Sequence, residues 1–441
     1  MTSKLIHVLD ELVDEIVRYS RLEDSTRRAI ETLGIRQAHI IAFGKGAISM
    51  ARGAVEALRR VEGGLVIVPE YMEGKIDGLE TLKSTHPLPS ERSLEAGKAV
   101  LEYADGLGKD DSVLVLVSGG GSALVEYPLE GLSLIELVET NRILLNSGMS
   151  ILEINTVRKH LSRIKGGRLA EALSPAKTYG LYVSDVPGDR LDLIASGPTV
   201  PDPSTYHDAL SIIRTYSLEG KLPHGVLRIL ELGARGELPE TPKPGDMVFR
   251  NVVNRLVAAN INVLKRLEDS LRRRGYNTLV LTSRVSGESR EVAKVLASIA
   301  LDSYTRRVPI PSPAAIIVGG ETSVTVTGKG RGGRNMELAL WFAREIDYWM
   351  GGELEDAVIG IVSLDTDGID GVTDAAGAIA YNGLLRKARM LGIDYDGLLG
   401  SNDSYRLAEE LGVLIKTGPT GSNLNSVSVV LVGVPGGRSR E

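Results

Sequence analysis

The chain has 441 residues, a formal net charge of −6 at pH 7, 43% hydrophobic and 24% charged residues, 3 Phe, 2 Trp and no cysteine. That length exceeds one ordinary core and sets an expectation of two large α/β domains, with the composition of a soluble globular protein and cores built from Val, Leu, Ile and Ala. The acidic balance excludes a general attraction to nucleic acid or to anionic membranes, so any positive field is local to a cleft, and the lack of cysteine excludes disulfides and thiolate chemistry, which fits a cytoplasmic setting.

At the start, Leu5, Val8, Leu9, Leu12, Val13 and Ile16 recur at helical spacing between acidic residues, which predicts an amphipathic surface helix. HIIAF from His39 reads as a strand and Ala47 onward as a helix; LVIV at Leu65, VLVLV at Val113 and YGLYV at Tyr179 continue a βα series, hence a parallel sheet. His86 precedes a proline and is extended, with Ser90 as the N-cap of the next helix. The segment Asn155 to Ala170 reads as a helix that brings Arg158, His160, Lys165 and Arg168 together, either lining a cleft or solvated. Pro239, Pro242 and Pro244 break every periodic pattern, which predicts a junction between domains 1–240 and 246–441. Beyond it, Arg250 to Arg274 reads as a helix, TLVLT at Thr278 as a strand, the segment from Gly287 as a helix, and AAIIVGG, TSVTVT and AVIGIVSL as strands.

Five loops, each following an apolar run, carry the chemistry, and strand ends are where open parallel sheets bind ligands. In FGKGA, Lys45 stands just before a helix, where a cation opposes the dipole by about 0.3–1 kcal/mol unless an anion is bound. Ser118, Gly119, Gly120, Gly121 and Ser122 form a glycine turn whose N–H groups, with the dipole of a helix expected after Ser122, suit a phosphate. No Gly-Lys pair is followed by Ser or Thr, which excludes a P-loop. Asp185 and Asp189 flank a Pro-Gly turn, so that two carboxylates could face one cavity, one orienting a hydroxyl and the other a cation. The string Gly328, Gly330, Gly333 is a literal GxGxxG, but Lys329, Arg331 and Arg334 within it fit a polyphosphate or carboxylate better than a dinucleotide, and no acidic strand end stands about 20 residues on to hold a ribose. Asp365, Asp367, Asp370 and Asp374 crowd one loop that offers the hard oxygen ligands Mg²⁺ prefers, without the spacing of an EF-hand. Together the five loops describe a small-molecule phosphotransferase.

In this order, FGKGA, THPLPSERSLEAG, VSGGGSAL, NTVRKHLSRIKGGRLA, SDVPGDRLDLIASGPTVPDPSTY, GGETSVTVTGKGRGGRNMELAL, LDTDGIDGVTDAAGA and GPTGSNLNSV resemble the class II, MOFRL-type glycerate kinases over nearly the whole chain. The resemblance implies a Rossmann-like N-terminal domain with a parallel sheet, a C-terminal MOFRL-type α/β domain, and an active site in the interdomain cleft. It implies ATP-dependent and Mg²⁺-dependent phosphorylation of D-glycerate, usually to 2-phosphoglycerate, by a monomer or homodimer without nucleic-acid or membrane partners. Residue by residue it carries catalytic roles to Lys45, Asp185 and Arg334, with Asp189 and Arg331 standing close to the last two. In that picture the ATP phosphates lie over Ser118 to Ser122, with Lys329, Arg331, Arg334 and Asn335 as further anion-binding residues and Asp189 or Asp367 holding the metal. Ser426 stands where many relatives have an acidic residue, so no role is assigned to it. The alternative is an NAD(P)-dependent hydroxypyruvate reductase, a label once given to family members, which rests on the GxGxxG string. A non-catalytic sugar-phosphate sensor would keep the phosphate loops without turnover.

Overall fold

The computed structural model describes residues 2–186, 188–350 and 357–436. The chain forms two compact units, one of Leu22–Ala258 and one of Met1–Arg21 with Ala259–Glu441. The boundary therefore falls after Ala258 and not at the proline-rich segment 239–246, and the first helix, α1 (Thr2–Tyr19), belongs with the C-terminal residues. Prolines halt helices and strands, but they do not end a unit when the chain beyond them returns to the same sheet. No helix of the described residues is long and apolar enough to cross a membrane.

The unit 22–258 starts with α2 (Leu22–Leu33), β1 (Gln37–Phe43), α3 (Ala47–Ala57), β2 (Arg60–Pro69), β3 (Glu80–Ser84), α4 (Glu91–Asp105) and β4 (Ser112–Val117). It continues through α5 (Gly121–Leu124), α6 (Leu134–Leu145), α7 (Ile151–Lys159), α8 (Arg168–Leu173), β5 (Lys177–Val183), α9 (Tyr206–Thr215), α10 (His224–Ala234) and β6 (Val252–Ala258). All six strands are parallel in the order β3-β2-β1-β4-β5-β6, the Rossmann-like sheet expected. Ile41, Phe43, Ile67, Val115 and Val117 fill a core from the middle strands, which are apolar on both faces as a covered parallel sheet demands. Helix starts are set by side chains: Ser90, Ser133, Ser150 and Thr205 each close a capping box. Two helical expectations fail here. Arg250 to Arg274 is not one helix, because VVNRLVA pairs with β5 as β6. Asn155 to Ala170 breaks after Lys159, and the chain re-enters a helix at Arg168 only after Gly166 and Gly167, both at positive φ.

In the other unit, α11 (Asn260–Arg273), β7 (Asn277–Val285), α12 (Ser289–Thr305), β8 (Ala314–Gly320), α13 (Arg334–Met350) and β9 (Ile359–Asp365) come first. After them come β10 (Gly377–Tyr381), α14 (Leu384–Leu391), α15 (Tyr395–Gly400), α16 (Ser404–Glu410), β11 (Leu414–Ile415) and β12 (Ser426–Val432). The sheet order is β11-β10-β9-β12-β8-β7; β7 and β8 are parallel and the remaining neighbours antiparallel. TSVTVT is not a strand: it makes one bridge, Ser323 with Glu288, while Thr325 bonds the Glu288 carboxylate and the Thr327 N–H donates to Asn402 Oδ1. Helix α1 lays Leu5, Leu9, Leu12 and Ile16, all fully buried, into this unit. A Cβ on Gly360 of β9 would lie 2.9 Å from Leu9 Cδ1 and 3.0 Å from Leu5 Cδ2, so a glycine there admits the helix.

Leu9→Ala is expected to destabilise this unit by about 2–5 kcal/mol through the cavity it leaves. Amide exchange should then quicken in β9 and stay unchanged in β1 and β4; faster exchange in β1 and β4 would show that α1 supports the other unit.

Candidate active site

Within the unit 22–258 the strand order reverses between β1 and β4, so their following connections leave the sheet in opposite directions and open a crevice at the strands' carboxyl ends. The two loops there are laced together. Gly46 N–H donates to Ser118 Oγ (2.9 Å), Lys45 N–H to the Gly119 carbonyl (2.8 Å) and Ser118 N–H to the Phe43 carbonyl (3.1 Å). Gly44, at φ +120°, is required: a Cβ there would stand 2.2 Å from Ser118 Oγ. Buried Ser118 is thus a strut between the loops. Among the described residues no acceptor meets the N–H groups of Gly119 and Gly120, and an unpaired N–H in such a turn is what an anion satisfies. The helix expected after Ser122 begins at Gly121 and is a four-residue turn, so the donors themselves, not a macrodipole, make this cradle.

Beside the turn lies a cavity of about 230 Å³ whose wall includes Gly120, Ser122, Asp185, His86 and Arg158. Lys45 Cγ is 3.6 Å and His86 Cδ2 3.1 Å from the place a Gly120 Cβ would take, so the lysine stem and the imidazole flank the glycine turn. The carboxylate that reaches the cavity is Asp185, two residues past the end of β5; Asp189, held at φ 56° with its N–H on the Val186 carbonyl, does not line it, which corrects the expectation of two carboxylates facing one cavity. Pro187 between them lies outside the described residues. Ser122 Oγ is 2.7 Å from Ser196 Oγ, and Ser196 donates to Asn155 Oδ1 (3.0 Å). Three successive residues, Ala195, Ser196 and Gly197, hold left-handed conformations at this wall. Such strain persists only where its surroundings over-determine it, and it concentrates at functional sites.

Two wall residues escape a sequence reading. His86 looks like a loop residue before a proline, with Ser90 capping α4 as expected, yet its ring borders the glycine turn. Desolvation in the cavity wall and, second, the Lys45 ammonium hold its pKa down to about 4. The residue is nonetheless exposed, and with its pKa held down the imidazole is neutral at pH 7. Arg158 emerges from the last turn of α7 into the cavity, whereas its expected companions turn away into structure. Buried Lys165 pairs with Glu126, His160 contacts Glu240 (3.2 Å), and Arg168 donates to the Pro239 carbonyl (3.2 Å).

The residues expected from the second glycine loop lie in the other unit. Arg334, the first residue of α13, pairs with Glu321 (2.5 Å) and with fully buried Asp365. Asn335 is buried and committed to Ser426 (3.0 Å), Asp370 and Ser363. Ser426 is a hub of this cluster, since its hydroxyl also donates to Asp365 Oδ2 (3.4 Å). Arg331 lies over the Tyr405 ring (4.4 Å) near Asp374 (3.6 Å), and Lys329 is exposed. The glycines serve packing: a Cβ on Gly328 would meet the Ser401 carbonyl at 2.0 Å, on Gly330 the Asp403 N at 2.4 Å, and on Gly333 the Asp370 carboxyl at 2.3 Å. A dinucleotide fingerprint needs a strand before it and glycines facing a pyrophosphate, and this loop has neither.

Nor do the four aspartates form one ligand set. Asp370 accepts from Asn335 N–H and Met336 N–H at the start of α13, and burial pushes its pKa up to about 7. Asp374 pairs with Lys416 (3.0 Å), and Asp367 accepts from Ile369 N–H (2.9 Å). Among the described residues no group of three or more His, Cys, Asp or Glu is placed to hold a metal ion.

The sequence matches a domain of unknown function, DUF4147, over residues 7–231 and the MOFRL family over residues 314–426. A D-glycerate 2-kinase of Thermotoga maritima is 39% identical over 424 residues, covering 96% of this chain and 97% of that protein. A glycerate 2-kinase of Pyrococcus horikoshii is 40% identical over 405 residues, covering 91% and 89%. The chain belongs to the MOFRL-type glycerate kinase family. A crystal structure of a Thermotoga maritima glycerate kinase matches the fold of this family member with a TM-score of 0.88 at 39% identity, covering 97% of this chain and 100% of that one. An Agrobacterium vitis protein named putative hydroxypyruvate reductase is 40% identical, covering 89% of this chain and 87% of its own.

In this MOFRL-type kinase, histidine NMR should find His86 titrating near pH 4, neutral at pH 7. Both the cavity wall and Lys45 disfavour imidazolium, so Lys45→Met should raise the value. A wild-type titration near 6.5, the ordinary value, would contradict the placement.

Proposed function

We propose that the protein is a D-glycerate 2-kinase, transferring the γ-phosphoryl group of ATP to the C2 hydroxyl of D-glycerate to give 2-phosphoglycerate and ADP. The observation that carries this reading is the convergence, at the reversal point of a parallel sheet, of Lys45, the N–H groups of Gly119 and Gly120, which meet no acceptor among the described residues, and Asp185. Phosphoryl transfer asks a protein mainly for position and for positive charge where negative charge gathers. The Gly119 and Gly120 donors would take phosphate oxygens. Lys45 would neutralise the group in flight, and Asp185 would orient the C2 hydroxyl and accept its proton as the O–P bond forms and the bond to ADP breaks. A neutral His86 can donate or accept a hydrogen bond at the same turn. In the other unit, Glu321 and Asp365 fix the guanidinium of Arg334.

Mg²⁺ usually keeps several waters and is held by one or two carboxylates together with substrate phosphates. The half-buried carboxylates Asp189 and Asp367 fit that mode, each in its own unit, and a preformed cage is absent among the described residues. When bound with nucleotide, the ion would supply charge neutralisation at the phosphates.

The reductase alternative loses its one sequence feature, because the GxGxxG glycines pack against the protein's own chain. ADP release with D-glycerate, coupled through enolase, should detect 2-phosphoglycerate. Consumption of NAD(P)H with hydroxypyruvate and no ADP release would replace the kinase reading with the reductase one. Lys45→Ala should lower kcat by at least about 100-fold, the cost of one charged transition-state contact, with an unchanged circular dichroism spectrum. Activity within a few-fold of wild type would remove Lys45 from the mechanism.

A further inference from the structure

The cavity beside the glycine turn is small. At about 230 Å³ it falls below the roughly 300–1,000 Å³ of pockets for drug-sized ligands, so it suits a compact organic acid and not a nucleoside triphosphate. Of its lining side chains Arg158 alone carries a permanent positive charge, and Asp185 shares the same wall. The guanidinium has a neutral partner: Nε donates to Asn141 Oδ1 (2.5 Å), and no carboxylate of the described residues forms an ion pair with it. Glu126 attracts it from a distance, but that carboxylate is bound by Lys165 and Ser162. A cation largely withdrawn from water and lacking an anion is costly, and a bound carboxylate offsets that cost. Arg334, by contrast, already has two acidic partners. Arg158 is also held in place: Ser150 caps its helix, and Asn155 on that helix donates to the Leu193 carbonyl (3.1 Å) and accepts from Ser196.

An α-hydroxy acid presents a carboxylate and a hydroxyl on adjacent carbons, which is the pairing a guanidinium and a carboxylate on one small cavity read. We infer that Arg158 binds the carboxylate of the hydroxy-acid acceptor and that this cavity is the acceptor site. The inference rests on the kinase reading and assigns recognition of the acceptor's carboxylate to Arg158.

The test measures ADP release against D-glycerate, its neutral amide glyceramide, and ATP, in wild type, Arg158→Gln and Arg158→Lys. For Arg158→Gln the KM for D-glycerate should rise at least about 30-fold, as expected when one partner of a desolvated charge pair is removed. The KM for ATP should not change, and the preference for D-glycerate over glyceramide should collapse. Arg158→Lys should fall between, because it keeps the charge and loses the planar fork; it also serves if the glutamine variant fails to fold. An unchanged KM for D-glycerate, or a preference over glyceramide that survives both substitutions, overturns the inference while leaving the kinase reading intact. If wild type releases no ADP with D-glycerate, the kinase reading fails, and calorimetric titration of D-glycerate alone decides the site. Binding lost in Arg158→Gln then upholds an acid-binding cavity, and equal binding overturns it.

Discussion

The hydrogen-bonded seam between the ends of β1 and β4 is what the N-terminal site depends on. These two neighbours send their chains to opposite faces, and the gap that opens is bridged by two backbone bonds and by the Ser118 hydroxyl, which accepts from Gly46 N–H. The seam fixes everything near it. It forces a left-handed glycine at position 44, sets Lys45 beside the next turn, and leaves the N–H groups of Gly119 and Gly120 without acceptors among the described residues. A buried serine that looks like a phosphate ligand in the sequence is therefore the part that shapes the cradle rather than the part that fills it.

Lys45 and Asp185 were legible because each follows an unbroken apolar strand, and strand ends have a known destination in a parallel sheet. His86 and Arg158 were not, since one reaches the cavity from a proline turn and the other from the last turn of a helix, and neither path has a local signature. Fold class was readable from the βα alternation, whereas two of the three element assignments that failed did so for reasons of context. TSVTVT alternates like a strand, but β8 already has β7 and β12 on its two edges, and its threonines found Glu288 and Asn402 instead. VVNRLVA was absorbed into a longer helical pattern because an edge strand with half-buried residues carries a weak period.

Charges illustrate the same limit. A sequence shows how many carboxylates share a loop and not which are already engaged. Asp365, Asp370 and Asp374 hold an arginine, a helix start and a lysine respectively. The second glycine loop is comparable, with its glycines occupied by close contacts to Ser401, Asp403 and Asp370. What distinguishes the first unit's cavity is an imbalance: a permanent cation whose partner is an amide, next to N–H donors that meet no acceptor among the described residues.

The membership of α1 in the C-terminal unit has a consequence for synthesis on the ribosome. Gly360 and the strand that receives Leu5 and Leu9 emerge only after the helix and the entire Leu22–Ala258 unit have been made. At about 5–20 residues per second the greasy stripe of the newborn helix waits tens of seconds for its seat. During that interval the sheet carrying the glycine turn can complete itself, so the nascent chain assembles from its middle outward, and the leading helix is a late-docking clasp that a chaperone would have reason to shield.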